Sequence, residues 1–328
     1  MSTRREFISL LGGAAVAWPL AARAQQPSKV WRVGILDTAT RELNLANVGV
    51  LLKRLRELGY VEGQNLIIEY RSADGRNERL PDLVSDLIRL KVDVIVLRGT
   101  PEVMAVKNAT STIPVVISAV VDPVGLGLAA SLSNPGGNFT GMSSFASELG
   151  GKRVELLKEL VPRIKRMAFL GDFRNSAVQM LWEEMQLAAQ SLAMEALRFD
   201  VRRAADVSRA FDEAIREKAE AISVSVDGTT RTNRQLIIDL AAMNKLPAIY
   251  SAREFADDGG LIAYGASYAE LYLRAASFVD KIFKGAKPAE LPIEQPTKFD
   301  LVINLKTAKA LGLTIPPTLI TRADEVIE

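Results

Sequence analysis

Residues Val92-Asp93-Val94-Ile95-Val96-Leu97-Arg98-Gly99-Thr100-Pro101 read as a buried strand running into the first turn of a helix. Val94 to Leu97 is wholly apolar and rich in β-branched side chains, which suits a strand covered on both faces. Thr100 is a good N-cap, and Pro101 fits the first helical position, where no amide hydrogen is needed. The same alternation extends in both directions. Val30 to Leu36 reads as a strand, and Leu45 to Leu58 as a helix whose stripe is Val48, Leu51, Leu52, Leu55 and Leu58, closed by Gly59. Asn65 to Tyr70 is a strand, Leu80 to Leu90 a helix, Pro101 to Ala109 a helix and Pro114 to Val121 a strand. Asp122-Pro123 repeats the cap-plus-proline signal and predicts another helix.

Asn134-Pro135-Gly136-Gly137-Asn138-Phe139-Thr140-Gly141 breaks the rhythm, which then restarts. Lys152 to Val161, Ala177 to Leu192, Val207 to Lys218 and Asn233 to Asn244 read as helices. Between and after them lie strands at Arg166 to Leu170, Glu195 to Val201, Ala221 to Val226, Ala248 to Tyr250 and Gly260 to Tyr264. Leu271 to Phe283 is a helix, Glu290 to Pro296 an extended connector, Asp300 to Asn304 a strand and Leu305 to Leu311 a short helix. These last pieces are too few for a core of their own and must complete sheets already begun. The fold class is α/β, with two doubly wound, Rossmann-like lobes.

Composition narrows the chemistry. The 328 residues are 48% hydrophobic and 24% charged, enough apolar material for sizeable cores. There is no Cys and no His, so thiolate nucleophiles, disulfides, imidazole bases and the commonest metal ligands are excluded. The 41 basic and 39 acidic side chains give a net charge of only +2, no field for gripping nucleic acid. At the start, Arg4-Arg5 precedes a modest apolar run from Ile8 to Leu20 and the small-x-small triplet Ala22-Arg23-Ala24. That order marks residues 1–24 as an export leader of the twin-arginine type, cleaved after Ala24. Its loss removes Arg4, Arg5, Arg23 and Glu6 and leaves the remaining charges balanced.

In open parallel sheets, ligands bind beyond the carboxyl ends of the strands, where helix N-termini offer free N–H groups. The candidates by that rule are Asp37 and Thr38, then Arg98, Gly99 and Thr100, then Asp122. In the second half they are Asp172, Asp227, Tyr250, Ser251 and Tyr264. Each has a plainer alternative. Thr100, Asp122 and Asp227 are adequate as helix caps, Asp37 as a turn residue, Tyr250 and Tyr264 as packing residues, and Arg98 as the partner of a nearby acid. Gly125-Leu126-Gly127-Leu128-Ala129-Ala130 imitates a dinucleotide fingerprint, but these glycines fall inside the helix predicted from Asp122, and no acidic strand end follows. Gly150-Gly151-Lys152 lacks the remaining residues of a phosphate loop, and Asp257-Asp258 and Glu183-Glu184 lack metal-ligand spacing.

Several stretches resemble a known family. They are Trp31 to Leu36, Leu58-Gly59-Tyr60-Val61-Glu62-Gly63-Gln64-Asn65, Glu69-Tyr70-Arg71, Asp122-Pro123-Val124 with Ser131 to Gly141, Gly285-Ala286-Lys287-Pro288, Leu291 to Phe299 and Ile303 to Leu313. Together they are similar to the ABC-transporter substrate-binding proteins of the tryptophan/tyrosine type. The resemblance implies a type I periplasmic-binding-protein fold, with lobes of 30–141 plus about 267–292 and of 142–266 plus about 300–328. It implies three hinge crossings, at Gly141 to Ser144, Gly265 to Ser267 and Ile293 to Phe299, so that Gly141, Ser143, Gly265, Ser267 and Pro296 are hinge candidates. It implies a monomeric periplasmic receptor that serves an inner-membrane ABC permease, without cofactor, metal or catalysis. The expected ligand is an aromatic or amino-acid-like carboxylate held by Arg98 and helix N-termini, with Tyr250 and Tyr264 beside its apolar part. A receptor feeding a membrane signalling protein is the alternative; an exported enzyme using Asp37 and Asp227 is a more distant one.

Overall fold

The computed structural model describes residues 29–144 and 149–328; the leader expected at 1–24 lies outside the described residues. The first half runs β1 (Trp31–Asp37), α1 (Leu45–Glu57), β2 (Leu66–Ser72), α2 (Leu80–Arg89), β3 (Val94–Arg98), α3 (Thr100–Ala109), β4 (Val115–Val120) and β5 (Phe139–Ser143). The second continues with α4 (Leu149–Leu160), β6 (Arg166–Gly171), α5 (Ser176–Ser191), β7 (Glu195–Asp200), α6 (Ala204–Arg216), β8 (Ala221–Val224), α7 (Gly228–Thr232) and α8 (Arg234–Met243). There follow β9 (Ala248–Tyr250), α9 (Arg253–Asp257), β10 (Ile262–Ala266), α10 (Tyr268–Phe283), β11 (Ile293–Glu294), β12 (Phe299–Asn304), α11 (Leu305–Ala310), α12 (Pro317–Arg322) and β13 (Glu325–Ile327).

These strands form two sheets, ordered β11-β5-β4-β3-β1-β2 and β13-β12-β10-β9-β8-β6-β7. All pairings are parallel except β10 with β12. The chain passes from one sheet to the other three times, after β5, after β10 and after β11. Every residue of β3, β4 and β8 is buried, as a strand roofed by helices on both faces requires. In α1 the buried face is Val48, Leu51 and Leu55; each such side chain stabilises by about 1.5–3 kcal/mol relative to exposure. The returning α10 packs on the first lobe, where Phe283 stacks on Trp31 with ring centroids 4.1 Å apart.

Two crossings depend on glycine. Gly141 has φ +125°, and a Cβ there would lie 2.1 Å from the Ile117 carbonyl oxygen. A Cβ on Gly265 would come within 2.2 Å of the Ser251 carbonyl oxygen.

Some sequence expectations change. No helix starts at Asp122; residues 123–127 are turns, with Asp122 Oδ1 accepting from the Gly125 N–H at 2.8 Å and Gly127 at φ +64°. The left-handed glycine stops the helix that the proline begins. The Gly/Asn/Pro cluster hides β5, and the connector hides β11, because each gains strand form only by pairing: Ile293 aligns with Gly141. The helix expected from Asn233 is preceded by the short α7.

Candidate functional site

Between the lobes lies a cavity, part of it open to solvent. The first lobe contributes the end of β3 and start of α3 through Arg98, Gly99 and Thr100, the end of β4 through Ala119 and Val121, and Tyr268 at the start of α10. The second contributes Leu149 and Arg153 of α4, Asn175, Ala177, Val178 and Leu181 around α5, Ser225 and Val226 after β8, and Ser251 after β9. The N-termini of α3 and α5 both open onto this space, as the strand-end rule demands.

Two buried arginines dominate it. Arg98 is 5% exposed; its Cζ sits 3.6 Å from the centroid of the Tyr268 ring, a close cation–π contact. Its Nη1 is 3.6 Å from Glu254 Oε1 of the other lobe, within ion-pair but not hydrogen-bond range. Burial opposes the Arg98 charge, but Tyr268 and Glu254 outweigh it and hold the group above the usual arginine range. Arg153 is 1% exposed and donates through Nε to the Tyr264 carbonyl oxygen at 2.7 Å. Burial pulls its pKa down to about 10, which still leaves it charged at neutral pH. Arg98 Nη1 and Nη2 and Arg153 Nη1 are buried and make no hydrogen bond. Burying a cation this way costs several kcal/mol unless a counter-charge arrives.

Beside the cavity the lobes are pinned by a second buried pair, although Arg231 Nη2 makes no hydrogen bond. Arg231 Nη1 donates to Asp37 Oδ1 across the cleft at 3.0 Å, with both side chains 5% exposed or less. Asp37 also accepts from the Ala39 N–H at 2.9 Å. Glu102 accepts from the Thr38 N–H at 3.0 Å; burial, reinforced by Asp37, pushes its carboxyl well above the usual range. The lobes approach closely here, since a Cβ on Gly228 would lie 2.8 Å from the Thr38 side chain.

The sequence candidates therefore divide. Arg98, Gly99, Thr100 and Ser251 line the cavity. Asp37 and Thr38 sit in the inter-lobe network next to it. Asp122 belongs to its own turn. Asp172 pairs with Arg174 and accepts from Thr229 Oγ1 at 3.2 Å; burial opposes its charge, but these partners hold its carboxyl below the usual range. Asp227 is a capping-box residue for α7, accepting from the Thr230 N–H at 2.9 Å and Ser225 Oγ at 2.6 Å. With its oxygens engaged, its role is architectural: Asp227→Ala should cost about 1–2 kcal/mol in a denaturant titration and leave ligand affinity nearly unchanged. Tyr250 is stacked on Phe255 at 4.7 Å inside the second lobe, not in the cavity. Tyr264 packs toward Phe299 and reaches the site only through its carbonyl. The aromatic wall is Tyr268 instead.

Strand-end reasoning misses Arg153, Glu254 and Arg231 because helices carry them. Arg153 leaves one trace: it interrupts an apolar helical stripe formed by Leu149, Leu156, Leu157 and Leu160.

Two parallel-stranded lobes, three crossings and a cavity lined from both sides define a type I periplasmic-binding-protein fold. A family model described as ABC transporter substrate binding protein matches residues 33–327, and the chain belongs to that family. A solved conserved domain protein from Vibrio cholerae O1 biovar eltor is 30% identical, with TM-score 0.84, covering 91% of this chain and 100% of its own. A Streptococcus pneumonia ABC domain in complex with L-Trp is 26% identical, with TM-score 0.82, covering 90% and 99%. A tyrosine-binding protein of Clostridioides difficile (strain R20291) is 28% identical over 264 residues, 80% of this chain and 75% of the relative. The family is one of substrate-binding proteins, not of enzymes. Among the described residues, no helix is long and apolar enough to cross a membrane.

Proposed function

We propose that this chain is the periplasmic solute receptor of an ABC importer, capturing an aromatic or amino-acid-like carboxylate between its lobes and passing it unaltered to a membrane permease. One observation carries the ligand class: Arg153 is buried in the cavity wall with a free guanidinium nitrogen and no acidic partner among the described residues. A ligand carboxylate supplies the missing charge, and Arg98 on the opposite lobe gives it a second donor. Tyr268, Leu149, Val178 and Leu181 give the rest of the ligand an apolar enclosure. Because the two arginines come from different lobes, a carboxylate between them favours the closed arrangement, which is what drives hinge closure. The L-Trp and tyrosine ligands of the relatives agree with a carboxylate on an apolar body. The twin-arginine leader at Arg4-Arg5 supports delivery to the periplasm.

A thermal-shift screen of small carboxylates checks this. A binder at 100 times its Kd adds about 2.7 kcal/mol of stability, equivalent to several degrees of Tm. Silence across aromatic acids, aliphatic acids and amino acids would remove the proposal.

A further inference from the structure

Resting on the receptor reading, we propose that the cavity selects carboxylates that lack an ammonium group, so that the ligand enters as a monoanion rather than as a zwitterionic amino acid.

The inference comes from how charge is distributed around the cavity. Each lobe places one guanidinium in the wall, Arg98 from the end of β3 and Arg153 from α4. Among the described residues, no Asp or Glu lines the space. The acids nearby each face a cation or a donor of their own, although Glu254 Oε2 and Glu102 Oε2 make no hydrogen bond. Glu254 faces Arg98 and accepts from Asn47 Nδ2 at 3.5 Å. Burial opposes its charge, but Arg98 and Arg231 keep its carboxyl below the usual range, so it acts as the counter-charge to those arginines. Asp37 is held by Arg231, and Asp172 by Arg174. Asp227 accepts from Ser225, Thr230 and the Asp172 N–H. After these pairings Arg98 is partly neutralised and Arg153 is not, so the described residues give the cavity an excess of about one positive charge.

A monoanion cancels that excess. A zwitterion brings no net charge: its carboxylate meets an arginine, but its ammonium enters an enclosure already positive, where the low local dielectric strengthens the repulsion. The neutral polar lining does not repair this. Ser251 Oγ donates to the Val224 carbonyl at 3.0 Å and Ser225 Oγ to Asp227, so each turns lone pairs, not charge, toward the space. Such acceptors suit an indole N–H or a phenol hydroxyl, groups that need no counter-ion.

Matched pairs test the proposal by titration calorimetry on the full chain: indole-3-propionate against L-tryptophan, 3-(4-hydroxyphenyl)propionate against L-tyrosine, and 4-methylpentanoate against L-leucine. The members of each pair differ only in the ammonium group. The expected result is a deamino acid bound at least tenfold tighter than its amino acid, with the neutral indole-3-propionamide weaker again by a hundredfold. Amino acids that bind as tightly as their deamino partners overturn the selectivity and leave the receptor reading standing. An amide as tight as its acid overturns the charge argument. If no member of any pair binds, the selectivity is overturned, and silence across the wider carboxylate screen then overturns the receptor reading as well.

Discussion

In Arg153→Met, the ligand-free protein is expected to melt a few degrees higher than the parent and carboxylate binding to be lost. Both effects have one cause. The guanidinium is 1% exposed, it donates to the Tyr264 carbonyl through Nε while Nη1 stays unpartnered, and burial opposes its charge. Exchanging a poorly compensated buried ion for an apolar side chain of similar length stabilises proteins by about 1–4 kcal/mol. Each kcal/mol moves the Tm of a domain this size by roughly 2–4 °C. The substitution would also let the stripe of Leu149, Leu156, Leu157 and Leu160 run without a break. On the proposed reading the same change also removes a buried donor to the ligand, which costs about 2–5 kcal/mol of affinity. On that reading function is held at the expense of stability. Scanning calorimetry and titration calorimetry read the two effects separately. A variant that melts lower and still binds would show that Arg153 is a structural residue.

Arg231→Met should weaken ligand affinity a hundredfold or more while changing the ligand-free Tm little. Arg231 does not line the cavity; it meets Asp37 across the cleft, 3.0 Å away. Removing one member of a buried pair strands the other charge, at a cost of about 3–5 kcal/mol. That penalty falls on the closed arrangement alone, because separating the lobes lets water reach Asp37. The variant escapes by opening, and the ligand must then supply the lost closing energy. Small-angle scattering should show a larger radius of gyration than in the parent. The double variant Asp37→Leu, Arg231→Met removes both charges and should recover most of the affinity, giving a coupling energy well above about 1 kcal/mol in the cycle. Equal loss in the single and double variants would show that the pair does not act as a closing contact.

The α/β class, the near-continuous apolar strands and the approximate start of α3 are legible in the sequence because they are local, although Gly99 and not Thr100 is the N-cap there. Strand runs, caps and prolines act within a few residues of themselves. The strand-end rule also picks out Arg98, Gly99, Thr100 and Ser251, since position at the carboxyl end of a parallel strand carries that information alone. It fails for Tyr250, whose ring turns into the second lobe's core, and for Asp227, whose oxygens go to its own helix and to Ser225. A strand end reaches the cleft or folds back depending on its neighbours, which a linear pattern does not contain.

By itself, then, the sequence determined the fold class, the absence of His and Cys chemistry, and the strand ends from which the first lobe's wall is built. Tertiary structure alone decided that Arg153 from α4 and Arg98 from β3 face one cavity, and that Asp37 and Arg231, 194 residues apart, meet across the cleft. The reason is that helical and strand preferences are short-range properties, whereas the charge of an enclosed space is the sum over side chains that only packing brings together.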